Sequence, residues 1–138
     1  MAEPATARWI DTTEGLDALV AELADAPRLA VDTEFHRERT YWPQCALVQI
    51  GWGTGEALID PLAVDITPIG TLLTGRTIVM HAAGQDLEVF QHSVGVVPDD
   101  LFDTQIAASF LGMSSIGLAP LVNKLLDVHL PKADRLTD

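Results

Sequence analysis

Apolar positions along this chain follow two periods. Over residues 11–24 they recur at helical spacing, with Leu16, Leu19, Val20 and Leu23 on one stripe, which predicts an amphipathic helix. Asp11 and Glu14 are placed like the members of a capping box at its start, and Pro27 marks its end. Beyond Pro27 the period shortens. Apolar runs at 29–35, 46–52 and 56–59 read as strands, joined by a loop containing Pro43 and by a turn at Gly53-Thr54-Gly55. They predict a three-stranded antiparallel meander, closed by Asp60-Pro61. Thr67-Pro68 carries a helix start, with proline at the first helical position, and that helix ends near Gly75. A fourth strand at 77–80 leads into a helix at 85–92. A short strand at 101–102 leads into a helix at 104–111. A last helix at 118–126 is expected to pack through Leu121, Val122, Leu125 and Leu126. A meander followed by strand–helix alternation predicts an α/β fold, a mixed sheet with helices on both faces.

The first strand, LAVDTEF, carries the most informative chemistry. Residues i and i+2 of a strand share a face, so Asp32 and Glu34 project together, about 7 Å apart along the backbone. Carboxylates that close repel each other unless something positive lies between them. A divalent cation answers this, and all-oxygen ligands favour Mg²⁺ or Mn²⁺. The plainer alternative is a strand end whose acids face water. Asp86 falls in the first turn of the helix at 85–92. There it either complements the helix dipole or supplies a third ligand.

His81 ends the fourth strand, where open sheets build their sites. It is a candidate substrate contact or, equally, a hydrogen-bonded residue that orders the turn before Asp86. Phe35 and Tyr41 are candidates for stacking on a terminal base. Strand alternation also suits Phe35 to the core, and Tyr41-Trp42-Pro43 suits a loop that covers it. Asp103 is expected to cap the helix that starts at Thr104. Gln49, in an apolar strand, is expected to bond a neighbouring backbone group or carboxylate.

Composition bounds these readings. The 138 residues, 48% of them hydrophobic, suffice for one domain with a core. The single cysteine, Cys45, excludes an internal disulfide and fits a small core position. With no signal-like N-terminus and no membrane-length apolar run, a cytoplasmic protein is expected. The histidines and Cys45 lack zinc-type spacing, no serine lies in a nucleophile elbow, and no glycine-rich loop precedes a lysine. The net charge is −12, from 8 basic and 20 acidic residues. That argues against a grip on long nucleic acid through its phosphates; if nucleic acid binds, a short end held at a metal site is expected, not a long duplex on a basic face. The basic groups at 36–39 and at Lys124, Lys132 and Arg135 are expected to be solvated surface.

In order along the chain, VDTEFHRERTYWPQCALVQIG, LIDPLA, HAAGQDLEVF and LFDTQIAASFLG resemble ribonuclease D and its relatives. These are 3′→5′ exonucleases of the DEDD group with an RNase H-like fold. The resemblance runs from about Trp9 to Asp138. It implies that Asp32 and Glu34 fill the first exonuclease motif and Asp86 the second, as the catalytic and metal-holding residues. It also implies two Mg²⁺ or Mn²⁺ ions, with Asp32 between them. The implied substrate is a single-stranded 3′ end, RNA before DNA, and the implied products are 5′-mononucleotides. The third motif of the group, Tyr-x-x-x-Asp, does not occur; Tyr41 is the only tyrosine. One exonuclease-like domain over 1–138, incomplete at its C-terminus, is therefore expected. An exonuclease-like fragment or nucleic-acid-binding module without turnover is the alternative. Because nothing after Leu126 is amphipathic enough to give cover, an apolar patch is expected where a further helix would dock, beside the sheet face that carries Asp32 and Glu34.

Overall fold

Side chains of β2 (Arg28–His36) alternate across the sheet. Leu29, Val31 and Thr33 are buried, whereas Ala30, Asp32 and Glu34 are exposed. This period-2 pattern sets one face of the sheet against a core and leaves the other open. The computed structural model describes residues 7–36 and 41–131. The expected basic groups at 37–39 and at Lys132 and Arg135 lie outside them.

Among the described residues the sheet has six strands in the order β1-β4-β3-β2-β5-β6. β2, β3 (Gln44–Trp52) and β4 (Gly55–Ile59) form the antiparallel meander. β5 (Thr77–Met80) pairs parallel with β2, and β6 (Leu101–Asp103) parallel with β5. The α/β mixed sheet is as expected. One strand was not foreseen: β1 (Arg8–Ile10) pairs parallel with β4. Only Ile10 of its three residues is buried, so it leaves no apolar run in the sequence.

Three helices cover the buried face. α1 (Thr13–Glu22) places Leu16 and Leu19 in the core, with Leu23 at its end. Its cap is Thr12 rather than the expected Asp11: the Thr12 hydroxyl accepts from the Gly15 N–H at 3.0 Å. At the other end Arg76 acts as a tether. Its guanidinium donates to the carbonyls of Leu23 and Ala26 at 2.7 Å and of Ala24 at 3.2 Å. The helix expected after Thr67 is a 3-10 turn, Thr67–Ile69, running into the short α2 (Gly70–Leu73). α3 (Gly84–Ser93) packs on β2 and β3 through Val89 and Phe90, both fully buried. Gly95, at φ +79°, allows the chain to turn away after it.

α4 (Thr104–Ser109) and α5 (Leu118–Leu126) differ from these. They bury only Ala108 and Leu121, neither of which belongs to the main core cluster. The expected packing of α5 is corrected here, since Leu125 is 58% and Leu126 68% exposed. α4 also stops at Ser109, and Phe110 and Leu111 stand exposed. Ile106, Phe110, Leu111, Leu118, Leu125 and Leu126 thus leave an apolar surface along α4 and α5. No helix among the described residues is long and apolar enough to cross a membrane.

Candidate metal and nucleic-acid site

The site is built on the open face of β2. Asp32 stands opposite Gln49 of β3, and Glu34 opposite Leu47. The register slips between Glu34 and Phe35, a bulge that re-aims the strand just past the two acids. Asp32 and Glu34 thus share a face, as the strand period requires. Gln49, also exposed, joins them there instead of bonding inside the core. Sequence reasoning missed this role. The available signal was the antiparallel register, which places Gln49 beside Asp32.

Asp86 reaches β2 from the opposite, covered side. It is 6% exposed, and its carboxylate accepts a hydrogen bond from the Thr33 hydroxyl. Thr33, the middle residue of Asp-x-Glu, is itself buried at 5%. The structure therefore pairs Asp32 with Glu34 and anchors Asp86 just behind them. Among the described residues no three His, Cys, Asp or Glu side chains converge closely enough to hold one ion.

The electrostatics bear directly on whether a cation fits. Burial raises the Asp32 carboxyl above its ordinary value, because the group sits against enough protein to lose solvation even though the residue is open to the groove. The Thr33 backbone and His81 pull it down, Glu34 pushes it up, and the net shift is upward. Burial raises Asp86 as well; the Thr33 hydroxyl and nearby backbone groups offset this in part, and the charge of Asp32 adds to it. Among the described residues none of the three forms an ion pair. Hard oxygen donors, mutual repulsion and the absence of a paired cation fit Mg²⁺ or Mn²⁺ in donor chemistry.

A groove of about 500 Å³ opens beside Asp32, lined also by Gln49, His81, Thr104 and Leu118. Two grooves of about 610 Å³ lie elsewhere, and neither is lined by the three acids. Proximity to those acids, rather than volume, selects the smaller one. The structure places His81 at this groove but engages its ring: Nδ1 lies 2.7 Å from the Thr104 hydroxyl, and Nε2 donates to the Ile116 carbonyl at 2.8 Å. Phe35 is half-buried and packs against the core. Tyr41 is 83% exposed and meets Trp42 edge-on, with Trp42 stacked on His92 at 5.2 Å. This aromatic group lines a different groove from that of Asp32.

A model of the 3′-5′ exonuclease family matches residues 7–138. The chain belongs to this family. Within it the chain is similar to ribonuclease D. It is 43% identical over 134 residues to ribonuclease D of Gluconacetobacter diazotrophicus, a match covering 94% of this chain and 34% of that protein. With ribonuclease D of Zymomonas mobilis the identity is 45% over 129 residues, covering 89% and 33%. The crystal structure of Escherichia coli RNase D, described as an exoribonuclease involved in structured RNA processing, superimposes with a TM-score of 0.88 at 40% identity. That likeness covers 96% of this chain and 36% of the other. The chain thus has a ribonuclease D-like exonuclease fold and spans about a third of the length of these relatives.

Proposed function

We propose that this chain carries the catalytic face of a metal-dependent 3′→5′ exoribonuclease that acts on single-stranded 3′ ends of RNA in the cytoplasm. One observation supports the reading above others: Asp32 and Glu34 stand together on an open sheet face, without an ion-pair partner among the described residues, and Asp32 lines a groove of about 500 Å³. Asp32 and Glu34 are the residues to hold Mg²⁺ or Mn²⁺, two ions in the full site, with Asp86 supporting from behind. Bound there, the cations supply positive charge to the scissile phosphodiester and lower the pKa of an attacking water. Glu34 and Asp32 fix where that charge sits. Thr33 holds the Asp86 carboxylate against the strand. Gln49 presents an amide beside Asp32, suited to a sugar hydroxyl or phosphate oxygen. Tyr41 offers an exposed ring to a base further along the strand.

In this reading residues 1–138 form a single exonuclease-like domain that lacks the third motif. The sequence has no Tyr-x-x-x-Asp, so the chain by itself is expected to bind the cation weakly and turn over little substrate. Calorimetric titration of Mn²⁺ into the wild type and Asp32→Asn tests the site. Heat of binding in the wild type that disappears in the variant is expected, and equal heats for the two would overturn the reading. A 3′-labelled single-stranded oligoribonucleotide with Mg²⁺ tests turnover. Rapid release of mononucleotides, abolished by Glu34→Gln, would show that these residues suffice without a third motif.

A further inference from the structure

The carboxylate of Asp103 is shared between two helices. Its Oδ1 accepts from the N–H groups of Gln105 at 2.9 Å and Ile106 at 3.4 Å, which caps α4 in the ordinary way. The same oxygen accepts from the Ala82 N–H at 3.0 Å, and Oδ2 accepts from the Ala83 N–H at 2.8 Å. Those two donors belong to the turn that starts α3. The cap position of α3 is Ala83, which makes no side-chain cap hydrogen bond. The helix that carries Asp86 is therefore anchored at its start by a carboxylate some twenty residues further along.

The turn needs such an anchor. Ala82 sits at φ +54°, a left-handed conformation that strains a residue with a Cβ. Such strain persists only where the surroundings enforce it. Here Asp103 takes the N–H of the strained residue and of the next one. The His81 ring, through Thr104 and Ile116, ties the residue before it to the same neighbourhood. Asp86 follows in the first turn of α3, where a small change at the start of the helix moves its carboxylate against Thr33.

We propose that Asp103 is a positioning residue for the carboxylate site: it fixes where α3 begins and so where Asp86 stands relative to Asp32 and Glu34. This rests on the reading of those acids as a divalent-cation site. A pure helix cap would use only the bonds to Gln105 and Ile106. Asparagine weakens the anchor selectively: its carbonyl oxygen keeps the bonds from Gln105, Ile106 and Ala82, whereas its amide nitrogen cannot accept from the Ala83 N–H.

The test uses the full 138-residue chain. In metal-free Asp103→Asn, the amide NMR signals of Thr33, Asp86 and Leu87 are expected to move, with a cooperative melt retained. Calorimetry is expected to show Mn²⁺ affinity lowered about tenfold, as loss of an outer-sphere partner does elsewhere. The double variant Ala82→Gly/Asp103→Asn is expected to recover part of that affinity, since glycine holds a positive φ without strain. Should Asp103→Asn not fold, the double variant, relieved of the strain, carries the same measurements. Unchanged amide signals and wild-type Mn²⁺ affinity in Asp103→Asn, beside lost binding in Asp32→Asn, would overturn the positioning role alone. Equal Mn²⁺ heats for wild type and Asp32→Asn would instead overturn the metal-site reading on which it rests.

Discussion

α1 and α5 carry the same kind of leucine stripe and meet different fates. In α1, Leu16 and Leu19 are 1% and 0% exposed, Thr12 caps the start and Arg76 takes up carbonyls at the end. In α5, Leu121 alone is buried, Leu118, Leu125 and Leu126 lie open, and the cap residue Gly117 has no side chain to offer. An amphipathic pattern states what a helix must cover. It does not say whether the covering surface lies within the same stretch of chain. On α4 and α5 it does not, and the exposed apolar side chains gather there.

Matched truncations break or sharpen this contrast most directly. Leu19→Ala is expected to cost about 2–5 kcal/mol in urea unfolding, since it opens a cavity in a closed core. Leu125→Ala is expected to change stability by less than about 0.5 kcal/mol and to reduce binding of an apolar dye. Similar losses at both positions would mean that α5 is packed as firmly as α1. Arg76→Ala should come next, at about 2 kcal/mol, because it strips the α1 end of charge-assisted bonds. Lysine at 76 should restore only part of this, as it cannot span three carbonyls with a planar fork.

The same contrast divides the two faces of β2, with smaller effects. The Asp32 carboxyl lies above its ordinary value in the folded chain, so its ionisation opposes folding. Its share of stability is fully present below the ordinary carboxylate pKa and is lost as pH rises through the raised folded value. Asp32→Asn should therefore melt higher at neutral pH, and the gain should vanish below about pH 4. Melting curves against pH check both the sign and the window. On the covered face, burial pushes the Cys45 thiol up to about 11. It should resist thiol reagents at pH 8 in the folded protein and react at once in denaturant, with no measurable effect on stability.

The strands legible in the sequence were those whose alternation is long or strongly apolar. β2 to β5 fall within a residue or two of their expected bounds. β1 was not legible, because one buried side chain in three makes no pattern. The helix after Thr67 was readable at its start but not in its type, which the packing of a short connection decides. That Asp32 and Glu34 share a face was legible from strand spacing, whereas their reading as a metal site rested on the resemblance of the surrounding motifs. The hold of Thr33 on Asp86 and the reach of Asp103 to Ala82 and Ala83 were not. Each is a hydrogen bond between elements, and periodicity reports only what happens within one. His81 could have gone either way in sequence, and both its ring nitrogens are engaged by the scaffold.

The Thr33–Asp86 bond also has a kinetic side. It joins residues 53 positions apart, the same separation as the bond from Arg76 to Leu23. Neither can form until β5 has come alongside β2, and parallel pairing across so long a loop is among the slow events of folding. The Asp86 carboxylate is therefore seated behind Asp32 and Glu34 only in molecules that have already crossed the main barrier. A cation bound at Asp32 and Glu34 would slow unfolding and leave the rate of folding unchanged.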